Sequence, residues 1–372
     1  MARQALLDEF KVVLKSVKAR AFQYSPRKPE GRCWSGYDTA QRNEYPDVID
    51  LIARLIDVAS EGTGPLVGFD VTGRPCLSKP DLAKLVLAQQ YDGRSNRVSL
   101  GYMSLMKPYL RIDEGFDPSY KTLERAYDDP DVMVLLNDAF FITQQPVSGI
   151  EHSFGIGGTC FGTTTKMNWE SSKDEILGLN GNREEGEKKS GFAKAIIAAG
   201  TTFKLISSFA VARSPHANES PYLKPLLNQI AELYAEIAVL CADAAFISRE
   251  NCNEVARHGA VPRIFPRENV TPWARGSQAW RKMLTEFVTD TQRWLSEYHP
   301  RSIMETINST IKRTQPCPVR KRLVMRKSTE ILAKICVYNI RQLVYLRYTK
   351  GVVLRFTPMS HQQLSLLNYV TL

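Results

Sequence analysis

The chain has 372 residues, of which 43% are hydrophobic and 24% charged, with a formal net charge of +10 and a pI of about 9.2. That length allows two or three compact units with a sizeable core, and no run reaches the eighteen consecutive apolar residues of a membrane span, so none is expected. The seven cysteines (33, 76, 160, 241, 252, 317, 336) are odd in number, form no C-x-x-C pair and have no histidine at zinc spacing. They exclude a disulfide framework and a zinc finger, and read as reduced, mostly buried thiols of an intracellular protein.

Residues 1 to 60 read as helix, with Leu6, Phe10, Leu14 and Val17 at helical spacing and the same pattern in DVIDLIARLIDVAS after the turn-prone SPRKPEGR. Shorter helices follow to Asp131. Within them RVSLGYMSLMKPYL, the loop RIDEGFD and SYKTLERAYDD form a helix-turn-helix candidate over about 97–128. In it Lys121 and Arg125 would lie on an exposed, DNA-facing side. Two packing helices of a helical region fit the same pattern.

After Gln145 the composition changes. HSFGIGGTCFGTTTKMNW, FAKAIIAAGTTFKLISSFAVAR and EIAVLCADAAF are rich in Ile, Val, Phe and Thr and read as strands, with a polar loop, KDEILGLNGNREEGEKKSG, after the first. PYLKPLLNQIAELYAE reads as a helix between strands and HGAVPRIFPREN as one more short strand. From Trp273 to about Tyr348 the pattern is helical; the tail 351–372 is ambiguous. The order predicts an α/β fold, a mixed sheet flanked by helices over 146–350, preceded by an all-helical region over 1–145.

The excess charge is local. Twelve basic residues stand between Arg301 and Lys350 against the two acids Glu305 and Glu330, while the remainder, 37 basic against 37 acidic residues, is balanced. Such a field suits a polyanion such as nucleic acid, although a solvated basic helix face produces the same count. At the start of this stretch, in YHPRSIMETINSTIKR, Arg301, Glu305 and Lys312 share one helix face. An i,i+4 salt-bridged helix would also place them so.

Spaced as Tyr298-x2-Arg301-x3-Glu305-x6-Lys312, the segment resembles the signature of the insertion-sequence DDE transposases. CADAAFISRENCNEVARHGAVPRIFPREN, with Asp243 at a strand end, is similar to the region of their second catalytic Asp. KSTEILAKICVYNIRQLVYL resembles their closing helix, and GRPCL and SYKTLERAYDDPDV their N-terminal region. The resemblance implies an RNase H-like sheet and three carboxylates holding two Mg²⁺ or Mn²⁺ ions for in-line displacement at phosphorus. It assigns Asp243 and Glu305 as two catalytic, metal-binding carboxylates. Arg301, Lys312 and Tyr298 would hold DNA phosphates beside them. It further implies double-stranded DNA as partner, a homodimer that synapses two ends, and a cytoplasmic, nucleoid-associated protein of a prokaryote.

The family's first carboxylate belongs in the opening strand, where this chain reads Ile156-Gly157-Gly158-Thr159-Cys160-Phe161. The register puts Gly157 at the Asp position and Cys160 at that of a usual Gly. A glycine supplies no ligand, so strand cleavage is expected to be weak or lost, and metal is expected only if the site is active. Glu151 would lie roughly 20 Å up the strand at ~3.3 Å per residue, which rules it out for the same metal pair unless the strand starts later. Asp174, in the polar loop, is another candidate replacement. HSFGIGGTCFG itself satisfies neither a Walker A loop, which needs Gly-Lys-Ser/Thr at its end, nor a dinucleotide loop opening a helix.

Overall fold

The computed structural model describes residues 2–23, 31, 33–63, 77–167, 189–273, 275–315 and 318–359. Asp174, most of GRPCL and the tail beyond 359 lie outside the described residues. Six helices come first: α1 (Ala2–Lys18), α2 (Trp34–Thr63), α3 (Lys79–Asp92), α4 (Asn96–Leu110), α5 (Tyr120–Arg125) and α6 (Pro130–Ile142). Their boundaries follow local chemistry. The Ser78, Ser119 and Asp129 side chains accept main-chain N–H groups at the starts of α3, α5 and α6, and Gly93 closes α3 in the left-handed conformation.

The sheet contains β1 (Ser153–Met167), β2 (Lys189–Gly200), β3 (Ile206–Val211), β4 (Val239–Ala242) and β5 (Val261–Ile264), in the order β3-β2-β1-β4-β5. β1, β2 and β3 are antiparallel, whereas β4 and β5 add in parallel. Parallel addition needs crossovers, supplied here by α7 (Leu223–Leu233) before β4 and α8 (Arg249–Arg257) before β5. The chain closes with α9 (Gln278–Thr289), α10 (Thr291–Tyr298), α11 (Ile303–Thr314) and α12 (Val324–Lys350). The expected mixed sheet flanked by helices and preceded by a helical region is thus present, and this strand order and polarity is RNase H-like.

Two buried polar contacts fix how the layers meet. Asn339, fully buried on α12, accepts the Ile206 N–H and donates to the Ile206 carbonyl and the Thr143 hydroxyl, joining α12 and the end of α6 to the first residue of β3. Glu151 precedes β1 and is 1% exposed; its carboxylate accepts N–H groups from Thr202 (3.0 Å), Phe203 (2.8 Å) and Ser153 (3.3 Å). It locks the β2–β3 turn onto the start of β1, and Gly200 is required because a Cβ there would fall 2.4 Å from its Oε2. Its three N–H partners make Glu151 a structural acid. Truncation of Glu151 to Ala, which strands those buried N–H groups, should lower unfolding free energy by about 2–4 kcal/mol in urea melts, and Glu151→Gln by less.

Candidate active site

Four parallel pairs join β1 to β4, the last being Ile156 with Ala242. Asp243 follows with extended backbone (φ −78°, ψ 179°), so the register carried on by one residue sets it beside Gly157, about 5 Å away at normal strand spacing. Asp243 Oδ1 accepts the Ala245 N–H at 2.8 Å, which fixes the carboxylate at the strand end. Asp243 and the Gly157 position are therefore brought together by pairing of residues far apart in sequence.

α11 crosses the same end of the sheet. Met304, Ile307 and Ile311 are each about 1% exposed and recur at helical spacing, so the helix buries this stripe against β1. Glu305, Asn308, Ser309, Lys312 and Arg313 are left on the side that lines an open groove of about 720 Å³ with Gly158, Thr159 and Cys160. Gly155 permits the close approach, since a Cβ there would meet Met304 Cγ at 3.1 Å. At Gly157 a Cβ would lie 3.7 Å from Met304 Cβ, an ordinary contact, so a side chain fits.

Arg301 sits between the two acids, with Nη2 3.1 Å from Asp243 Oδ2 and Nη1 3.2 Å from Glu305 Oε1. The expected Arg301–Glu305–Lys312 face is present, and Glu305 and Lys312 share the groove, with the Glu305 side chain 73% exposed. Tyr298 stacks on Trp294 at 5.1 Å and packs on Phe265 at 5.4 Å. Burial pushes its hydroxyl up to about 12, opposed by Arg301 and reinforced by Asp243. Lys121 and Arg125 are exposed on α5, but α5 has only six residues and follows α4 after a nine-residue connection (111–119), longer than the three or four residues of a helix-turn-helix.

The basic C-terminal stretch does not form one exposed field. Lys334 is 1% exposed beside Glu330, and Lys321 is buried against Glu124 and the Tyr127 ring. Lys312, Arg313, Arg320, Arg322, Arg347 and Lys350 remain exposed.

Sequence reasoning missed an acid and a base in the groove. Glu219, just before α7, lies against Gly158, where a Cβ would be 2.4 Å from its Oε1, and it binds Lys194 of β2 at 2.8 Å. The Lys194 ammonium also donates to the Ala217 carbonyl at 2.9 Å. The two residues are distant in sequence, and only Gly158, the second of the adjacent pair Gly157-Gly158, hints that something passes close by.

Behind the site, Arg263 of β5 is 3% exposed and binds Glu297 (2.6 Å) and Glu286 (2.9 Å), holding the end of α10 that carries Tyr298. Cys241, also buried there, donates to the Glu297 carbonyl at 3.1 Å, and burial pushes its thiol up to about 12 despite Arg263.

An RNase H-like sheet with an acid at the end of β4 and a second on the following α11 defines a class of nucleic-acid phosphoryl-transfer folds. The profile of the Transposase DDE domain family matches residues 134–340, more than half of the chain, and the chain belongs to that family. It is also 23% identical over 296 residues to the probable transposase for insertion sequence element ISA1214 of Archaeoglobus fulgidus, an alignment covering 79% of this chain and 84% of that protein. Among the described residues no helix is long and apolar enough to cross a membrane.

The donor set departs from what a two-metal site requires. Asp243 and Glu305 are hard oxygen ligands suited to Mg²⁺, but Gly157 contributes none, and both carboxylates are engaged by the Arg301 guanidinium. Among the described residues no three His, Cys, Asp or Glu side chains gather closely enough to hold an ion. Among the described residues, Gly157 thus adds no carboxylate beside Asp243 and Glu305.

Arg263→Met should cost about 2–3 kcal/mol, less than the ~3–5 kcal/mol of a fully buried pair, because its acids remain a quarter to a third exposed. Burial alone would raise the Glu297 carboxyl, but Arg293 and Arg263 outweigh it and hold it below its ordinary value. Stability from that depression is complete above the unfolded value of about 4.3 and is lost as pH falls through the lower folded value. Thermal melts from pH 6 to pH 3 should accordingly show the gap between parent and Arg263→Met narrowing below about pH 4.3.

Proposed function

We propose that the protein binds the double-stranded DNA ends of an insertion element, as the transposase family implies, and that its strand-cleaving activity is impaired because Gly157 stands where the first catalytic carboxylate belongs. The observation that carries this reading is the β1–β4 register, which sets a residue without a side chain beside Asp243. In it Asp243 and Glu305 are the remaining catalytic pair. Arg301 neutralises both, while Lys312 in the groove and the Tyr298 hydroxyl contact DNA phosphate. Lys121 and Arg125 contribute DNA contacts from the helical region. The protein acts as a homodimer in the cytoplasm, associated with the nucleoid.

A second reading has a specific observation behind it. Glu219 lines the same groove as Glu305, so an active enzyme would draw its third carboxylate from there. Lys194 opposes this, because it already neutralises Glu219.

Strand cleavage and joining on the element's terminal repeats with Mg²⁺ or Mn²⁺ decides between them. The parent chain should give little or no product, and Gly157→Asp should gain cleavage that Glu305→Gln in the same background removes. Cleavage by the parent that is lost in both Glu305→Gln and Glu219→Gln would instead establish the second reading. Duplex affinity should fall steeply with salt, by a factor of about 10³ or more between 50 and 200 mM if six or more phosphates are contacted. Absence of duplex binding at low salt would reject DNA binding altogether.

A further inference from the structure

A second recess lies outside the catalytic groove, where the helical region meets the segment leading into α12. Its volume is about 340 Å³, and its wall includes Arg94 and Arg97 from the start of α4, Tyr120 from α5, and Arg320 and Lys321. The acids in the wall are already engaged. Glu124 binds Lys321, Arg326 (3.2 Å) and the Asn96 amide (2.6 Å). Glu330 accepts the main-chain N–H groups of Arg320 and Lys321 at 2.9 Å and lies 3.7 Å from Lys334.

Arg94 and Arg97 have no carboxylate within ion-pair distance among the described residues. Their guanidinium groups lie over the rings of Tyr102 (4.4 Å) and Tyr120 (4.6 Å), and both side chains are exposed. Arg97, with Lys121, also holds the exposed Tyr120 phenol below its ordinary value. The recess thus carries two exposed guanidinium groups with no carboxylate at ion-pair distance, Asp92 acting on Arg94 only from further off, and stacked guanidinium groups are a geometry suited to phosphate oxygens.

Its position relative to the groove is fixed by main-chain pairing. The Val319 N–H donates to the Gly162 carbonyl at 2.7 Å, and Val319 bridges Thr163 on β1. Arg320 therefore follows directly from a contact to the far half of the strand whose Thr159 and Cys160 line the groove. Three residues of strand span about 10 Å, about three base-pair steps at a rise of ~3.4 Å along the DNA axis.

We propose that this recess is a phosphate-binding subsite that takes one backbone phosphate and its sugar from the DNA lying in the catalytic groove. It would tie the helical region to the bound duplex without reading sequence. The proposal rests on the DNA-binding reading above. Its volume, at the small end of ligand sites, admits a nucleotide unit and not a helix. A phosphodiester of DNA and a free nucleotide share this chemistry, and the two are separated by experiment.

The test compares the full-length parent with Arg94→Gln/Arg97→Gln and with Lys11→Gln/Lys15→Gln, which removes equal charge from exposed positions on α1. Duplex affinity is measured against salt, and thermal melts check that each variant is folded. The expected result is a log–log salt slope lower by about 1–2 in the Arg94/Arg97 variant, with the same loss of affinity for unrelated sequences, and a parent-like slope in the α1 variant. Parent-like binding by the Arg94/Arg97 variant, or equal weakening of both variants, overturns the subsite while leaving the DNA-binding reading intact. Adenosine monophosphate is titrated as a free-nucleotide probe. Tight binding that is lost in the Arg94/Arg97 variant, with duplex affinity unchanged, also overturns the proposal, in favour of a nucleotide site. Failure of the parent itself to bind duplex at low salt removes the reading on which the subsite rests.

Discussion

The parallel register between β1 and β4 is the constraint on which the rest of the site depends. Only four residue pairs define it, yet it decides which residue of the glycine-rich strand faces Asp243. A one-residue slip would reverse the facing of every side chain on β1 and drive the buried Phe154 and Ile156 out of their core positions. The alternation that buries those residues on one face and turns Gly155 and Gly157 toward α11 therefore also specifies the site. α11 can approach because Gly155 is small, and its buried stripe of Met304, Ile307 and Ile311 then sets the orientation of its polar side.

Charge around that point is balanced within the chain. Each carboxylate near the groove has a basic partner from the chain itself: Arg301 for Asp243 and Glu305, Lys194 for Glu219. The guanidinium bridges two elements, the end of β4 and the start of α11, that would otherwise repel through their acids. In this arrangement Arg301 acts as a tie between strand and helix.

Much of the fold was legible in the chain. Runs rich in β-branched residues marked β1 to β5, the helical period marked α7, and the Tyr298, Arg301, Glu305 and Lys312 spacing marked one face of the helical segment behind them. These signals are local, carried by neighbours within two turns or one strand. What stayed hidden was non-local. The meeting of Gly157 with Asp243 was legible only through the family resemblance, because it needs strand pairing across more than eighty residues. The Glu219–Lys194 pair needs both the β1–β2 register and the close pass over Gly158. The buried roles of Lys334 and Lys321 were masked because a count of charges does not distinguish a cation facing solvent from one folded over its partner. The connection between α4 and α5 was readable as a loop, but its length told against a compact turn only once the helix ends were fixed.

Beyond Ile156 the ladder to β4 ends, and on that edge β1 next meets main chain at Val319, beside Gly162 and Thr163, while its other edge stays paired with β2. Of the intervening residues Gly158, Thr159 and Cys160 line the groove, and at Gly158 the wall is main chain alone. A surface made of peptide groups is insensitive to most substitutions, because drift changes side chains and leaves the backbone in place. Exchange of the side chains around the groove would therefore change its chemistry one residue at a time, while the course of the β1 backbone beside them stays as the β1–β2 ladder sets it.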